Sequence, residues 1–182
     1  MKNIDKKDFI KKSSEALGGI YDEIKGLPKL DMKSLEGKNT ALMIVDMING
    51  FTREGALKSS RVEGLIPEIT SLSKQCDEHG IVKLAFADSH TEASPEFDAY
   101  PPHCMTGTFE EEVVAEIKEV GGYLLIPKNS TNSFLEEKFQ EWFLKNQHID
   151  SYIITGGCTD ICIQQFAITL KTYFNMHNRK SR

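Results

Sequence analysis

Four short apolar runs, ALMIVD (41–46), IVKLAFAD (81–88), YLLIPK (123–128) and SYIITG (151–156), recur along the chain, and stretches of helical period separate or follow them. Continuous apolar runs of this length fit strands covered on both faces, and strands separated by helices pair in parallel through right-handed crossovers. The fold class expected is therefore α/β, a three-layer, Rossmann-like parallel sheet with helices on both faces. The intervening helices are predicted over 61–80 with Gly80 as the stop, over 109–119, over 133–147 and from Thr159 to about His177, while 89–108 reads as a loop.

Ahead of the first strand, residues 5–25 set Phe9, Ile10, Leu17, Ile20, Tyr21 and Ile24 at near-helical spacing among Lys, Asp and Glu, and the turn-rich GLPKLDMKSLEGKNT follows. The division expected is a helix and connector over 1–39 and one α/β domain over 40–182. With 182 residues, 40% of them apolar, the chain supports one sizeable core and not two. After the last helix the alternating pattern calls for a further strand and helix, so the domain is expected to lack its final pair and to show a bare sheet edge. A second copy would cover that edge, and a homo-oligomer is expected.

Charge and compartment narrow the function. The net charge is −5 and Lys and Arg are scattered among acids, so no nucleic-acid partner is expected. No apolar run approaches the roughly 20 residues of a membrane helix, and MKNIDKKDFIKKSSEAL is too polar for a secretory signal. The reading is a cytoplasmic protein without a membrane partner, whose four cysteines are free thiols.

The chemistry-bearing residues fall at one place. Asp46, Asp88, Lys128 and the TGGCTDIC segment each stand at or just past the C-terminal end of a predicted strand, the edge at which open parallel sheets bind ligands. Thr159 reads as the N-cap of the last helix, with Asp160, Ile161 and Cys162 as its first residues. Cys162 then lies in the first turn, where unpaired N–H groups and the helix dipole lower a thiol pKa. Cys158, before the cap, is better placed to offer its backbone N–H than its sulfur. Both cysteines also fit as small core residues. Asp46 and Lys128 after apolar runs are costly to bury unpaired; with a thiol they form a nucleophile, a proton carrier and a cation, and without one a structural ion pair.

ALMIVDMINGF, DSHTEASPEFDAYPPHC, IPKNSTNSF and TGGCTDICI, in this order and spacing, resemble the cysteine hydrolases of the isochorismatase-like superfamily, most closely its nicotinamidase branch, from about Ala41 onward. The resemblance implies Cys162 as nucleophile, Asp46 as proton shuttle and Lys128 as the residue that orients the aspartate and stabilises charge. It implies a cis peptide before Cys158, and an oxyanion hole formed by the N–H groups of Cys158 and Cys162. Phe51 and Tyr100 match aromatic positions of the family's ring pocket, and each also fits as a core residue.

Asp88 and His90, two apart on an extended segment, face the same side, and Glu96 and His103 from the following loop are able to close a site. Imidazole nitrogen with carboxylate oxygen suits Zn2+, Fe2+ or Mn2+. By resemblance these four residues hold a divalent metal, Zn2+ before the other two, with Glu96 standing where many relatives have histidine. Cys104, next to His103, is expected to point away from it. The activity implied is hydrolysis of a small amide, nicotinamide to nicotinate and ammonia, through a thioester. The rivals are another amide or carbamoyl hydrolase of the same family, a non-catalytic metal-binding or thiol protein, and the vinyl-ether hydrolysis of isochorismatases, which does not depend on the cysteine.

Overall fold

The computed structural model describes residues 5–35 and 39–182; residues 1–4 and 36–38, which include part of the expected connector, lie outside the described residues. The chain divides into two compact units, one ending at Ser34 and one running from Leu35 to Arg182. The first is built on α1 (Lys6–Lys25), a helix that follows the predicted spacing and has no buried residue.

In the second unit β1 (Thr40–Val45), β2 (Val82–Asp88), β3 (Tyr123–Lys128) and β4 (Ser151–Gly156) form one parallel sheet in the order β3-β2-β1-β4. Its register sets Val45 level with Phe86 on one side and Gly156 on the other, and Asp88 level with Lys128. All four strands therefore end at one edge, as the parallel reading requires.

Around the sheet run α2 (Asn49–Thr52), α3 (Ser60–Glu63), α4 (Ile66–Glu78), α5 (Ala115–Val120), α6 (Glu137–Lys145) and α7 (Cys162–Met176). Strand period 2 sorts them into layers. Ala41, Met43, Val45, Leu84, Phe86 and Ile126 pack against Phe139 and Phe143 of α6 and Phe166, Leu170 and Phe174 of α7. Each buried phenylalanine there adds roughly 1.5–3 kcal/mol of apolar burial. On the opposite face of β2, Lys83 reaches α4, its Nζ 2.6 Å from Asp77 Oδ2 and 3.2 Å from Ser73 Oγ. The three-layer expectation holds.

Three predicted helices differ in detail. The stretch 61–80 is two helices, because Pro67 fits a helix start and not an interior, and α4 takes it in its first turn. Within 109–119 only α5 and a 3-10 turn (Phe109–Glu111) are helical. Residues 112–114 instead pair with the chain leaving β1: Asn49 N–H donates to Glu112 O (2.9 Å) and Val114 N–H to Met47 O (3.0 Å). Within 133–147, Asn132 accepts the Phe134 N–H and holds a 3-10 turn ahead of α6. Along the outer side of β4, Arg182 N–H donates to Asp150 O (2.9 Å) and Tyr152 N–H donates to Arg182 O (3.0 Å). Among the described residues no helix is long and apolar enough to cross a membrane.

Candidate active site

The ends of β1 and β4 approach so closely that only glycine fits. A Cβ on Gly156, whose φ is 148°, would lie 1.8 Å from the Val45 carbonyl oxygen, and Gly157 N–H donates to that oxygen at 3.1 Å. The turn 157–161 is thereby set beside Asp46. Asp46 itself leaves β1 with φ 57°, a left-handed conformation that non-glycine residues adopt only where the surroundings impose it. Here its N–H is tied to Phe86 O at 2.9 Å.

The start of α7 corrects the expected cap. Thr159 caps nothing; the Cys158 carbonyl accepts the N–H groups of Ile161 (3.4 Å) and Ile163 (3.2 Å), so the first turn is displaced and the helix begins at Cys162. Neither the Cys158 N–H nor the Cys162 N–H donates to a protein acceptor among the described residues. The cis peptide expected before Cys158 is not there: the described residues contain none.

Lys128 sits at the centre of the group with its side chain wholly buried. Its Nζ lies 3.1 Å from Asp46 Oδ2, 3.2 Å from the Ser130 carbonyl and 3.8 Å from Cys162 Sγ, and it donates to Asp88 Oδ1. Burial acts to lower the pKa of this ammonium, but the Asp46 and Asp88 carboxylates outweigh it and hold the pKa above the usual lysine range. Burial pushes Asp46 up to about 6 against the opposing pull of Lys128. Burial, and then the neighbouring Asp46, also push the Cys162 thiol up. Desolvation and the adjacent carboxylate thus oppose the thiolate that the helix start favours, and the thiol stands beside a carboxylate able to take its proton. Asp46 Oδ1 is buried without a hydrogen-bond partner and is the acceptor left to that thiol.

A second group adjoins the first through Asp88. Asp88, His90 and His103, all buried, gather one ligand atom each into a cluster that fits a metal ion. His90 Nε2 is 3.7 Å from Asp88 Oδ1, and His103 Nε2 is 4.0 Å from Asp88 Oδ2. The outer nitrogens are already engaged, His90 Nδ1 with Asn129 Oδ1 (2.9 Å) and His103 Nδ1 with Pro101 O (2.8 Å). These bonds leave the Nε2 lone pairs facing Asp88, the arrangement in which histidine ligates metal. His90 Nε2 is buried with no hydrogen-bond partner, so the donor set fits a divalent cation. Glu96 stands next to this group, its Oε2 4.0 Å from His90 Nε2, but outside the cluster of three. Cys104 does point elsewhere: its sulfur packs on Gly50, where a Cβ would come within 2.6 Å of it.

Phe51 and Tyr100 line a cleft of about 720 Å³ whose floor is the turn 156–161. Phe51 also lies against His103, ring centroids 5.7 Å apart, so the aromatic wall reaches the metal group. Every residue expected from the sequence is therefore at one end of the sheet, with Glu96 at its margin. Missed were Asn129 and the Pro101 and Ser130 carbonyls; backbone acceptors carry no residue signature, and Asn129 is marked only by following Lys128.

The parallel α/β sheet that carries this site is a fold shared with known proteins. The family model "Isochorismatase domain" matches residues 40–172. Nicotinamidase 1 of Arabidopsis thaliana is 30% identical over 171 residues, covering 82% of this chain and 69% of the relative. Among solved structures, the N-carbamoylsarcosine amidase of Thermoplasma acidophilum superposes with a TM-score of 0.68 at 25% identity, covering 74% of this chain and 76% of its own. The nicotinamidase/pyrazinamidase of Bacillus subtilis does so with 0.63 at 26% identity, covering 74% and 79%. The chain belongs to the isochorismatase family.

Proposed function

We propose that this protein hydrolyses a small carboxamide, nicotinamide to nicotinate and ammonia, with Cys162, Asp46 and Lys128 as its catalytic residues. The observation that carries the reading is the buried thiol held beside a base of pKa about 6 and an ammonium, next to an aromatic-lined cleft. The likeness to a nicotinamidase at 30% identity selects the amide.

In this reading the Cys162 sulfur attacks the amide carbon while its proton passes to Asp46. The free N–H groups of Cys158 and Cys162 receive the oxyanion, for which a single donor is worth roughly 10²–10³ in rate. Asp46 returns the proton to the departing nitrogen, ammonia leaves, and a thioester remains. Asp46 then takes a proton from water, whose oxygen attacks the thioester; the acid departs and the thiol is restored. Lys128 keeps Asp46 in place and offsets the charge that alternates between carboxylate and sulfur. Asp88, His90 and His103, with Glu96 at the margin, would hold a divalent ion, Zn2+ before Fe2+ or Mn2+, which supplies a Lewis-acid contact for the pyridine nitrogen. Phe51 and Tyr100 flank the ring.

The superposition on an N-carbamoylsarcosine amidase favours one second reading, a carbamoyl hydrolase with the same catalytic residues. Ammonia release by the purified protein across nicotinamide, pyrazinamide, N-carbamoylsarcosine and aliphatic amides separates the two; no release from any of them refutes both. The protein is further proposed to act in the cytoplasm as a homo-oligomer, which sizing in solution tests.

A further inference from the structure

We propose that Asp88 is a positioning residue for Lys128 as well as a candidate metal ligand, so that the metal group and the nucleophile's ion pair share one carboxylate. The inference rests on the hydrolase reading for the role of Cys162, and on the geometry alone for the placement.

Lys128 has three protons to donate, and three oxygens face it: Asp46 Oδ2, Asp88 Oδ1 and the Ser130 carbonyl. The thiol stands next in line at 3.8 Å. Asp88 and Lys128 are register partners at the ends of the adjacent strands β2 and β3, so the sheet itself fixes this pair, whereas Asp46 follows β1, one strand further across the sheet. The ammonium is thus held by two carboxylates, Asp88 from the neighbouring strand and Asp46 from beyond the next. The second oxygen of Asp88, Oδ2, faces His103. Lys83, the other wholly buried lysine among the described residues, shows what structural need alone requires: one carboxylate, Asp77, which itself reaches solvent, and one serine. The second carboxylate on Lys128 exceeds that need. Without Asp88 the buried ammonium has only Asp46, the Ser130 carbonyl and the sulfur to turn to, and moves toward them.

The test is the alkylation rate of Cys162 by iodoacetamide in full-length protein stripped with EDTA, followed at the Cys162 peptide by mass spectrometry, with metal content measured before stripping. His103→Ala and Asp88→Asn are both expected to lose metal. In stripped protein His103→Ala should react like wild type within about twofold, while Asp88→Asn should react about tenfold faster, the factor that one pKa unit represents. In a Lys128→Met background the Asp88→Asn effect should vanish, as it must if Asp88 acts through Lys128. Equal rates for stripped wild type, His103→Ala and Asp88→Asn, or an undiminished effect without Lys128, would overturn the proposal. Should Asp88→Asn fail to fold, Asp88→Ser serves the same comparison. A chain that alkylates as expected yet releases no ammonia from nicotinamide keeps this placement and fails the substrate reading; hydrolysis with invariant alkylation does the reverse.

Discussion

The ammonium of Lys128 lies 3.1 Å from the Asp46 carboxylate in a site where both side chains are almost wholly withdrawn from solvent. Removing the cation leaves two carboxylates, Asp46 and Asp88, buried together without compensation. Breaking a buried pair in this way costs about 3–5 kcal/mol. Lys128→Met should therefore lower the unfolding free energy by that amount, and with it the denaturant midpoint, as well as abolish hydrolysis. An unchanged midpoint would mean that water or a counterion already screens the pair.

Cys162→Ala should eliminate amide hydrolysis, whereas Cys158→Ala should retain a substantial fraction, because Cys158 offers its backbone and not its sulfur. Equal and complete loss in both variants would remove the distinction between them. Steady-state ammonia release is sufficient to decide.

The pH profile should follow Asp46. As a base it must be ionised, so kcat/KM is expected to fall as the pH drops through about 6. Stability runs the other way. The folded-state value stands above the ordinary 3.8, so protonation favours the fold; that contribution is complete below 3.8 and is lost as pH rises through about 6. Asp46→Asn should abolish activity, and its stability relative to wild type should be greatest above pH 7 and shrink toward pH 5. A difference that does not change with pH across this range would contradict the assignment.

Metal removal should raise KM more than it slows alkylation of Cys162, because the ion is assigned to substrate orientation and the cluster of Asp88, His90 and His103 meets the aromatic wall through Phe51 against His103. His103→Ala should lose metal and raise KM together. If both stay at wild-type values, this cluster does not hold the ion.

Gly156→Ala tests the approach of β1 and β4. Its Cβ would lie 1.8 Å from the Val45 carbonyl oxygen at a φ of 148°, so backbone must move, at a cost of about 3 kcal/mol or more. Activity should fall further than stability, since the same turn carries Cys158 and leads into Cys162. Thermal unfolding and kcat measured on one preparation give the comparison.

Much of this was legible in the chain because strand ends are legible. Apolar runs bounded by Asp46, Asp88 and Lys128 mark where buried strands stop, and parallel pairing sends all such ends to one edge. The helix boundaries were less so. Val113 and Val114 carry helical spacing, yet Met47 and Asn49 claim their segment for backbone pairing, and no local propensity records a partner more than sixty residues away. Thr159 has the chemistry of a cap, but the Cys158 carbonyl takes the N–H groups that a cap would organise.

What the sequence determined by itself is the kind of fold and the edge at which Asp46, Asp88, Lys128 and Cys162 gather, because hydrophobic period and the expense of burying charge are local properties of the chain; the roles proposed for these residues came from a family resemblance. Only the tertiary structure decided the protonation and the connections. Whether Cys162 rests as thiol or thiolate depends on how much water the fold excludes and on Asp46 lying beside it. That Lys128 touches Asp88 as well as Asp46 depends on the register of β2 against β3. Desolvation and distance are set by segments far apart in sequence, and electrostatic energies in a buried site change severalfold over a few ångströms.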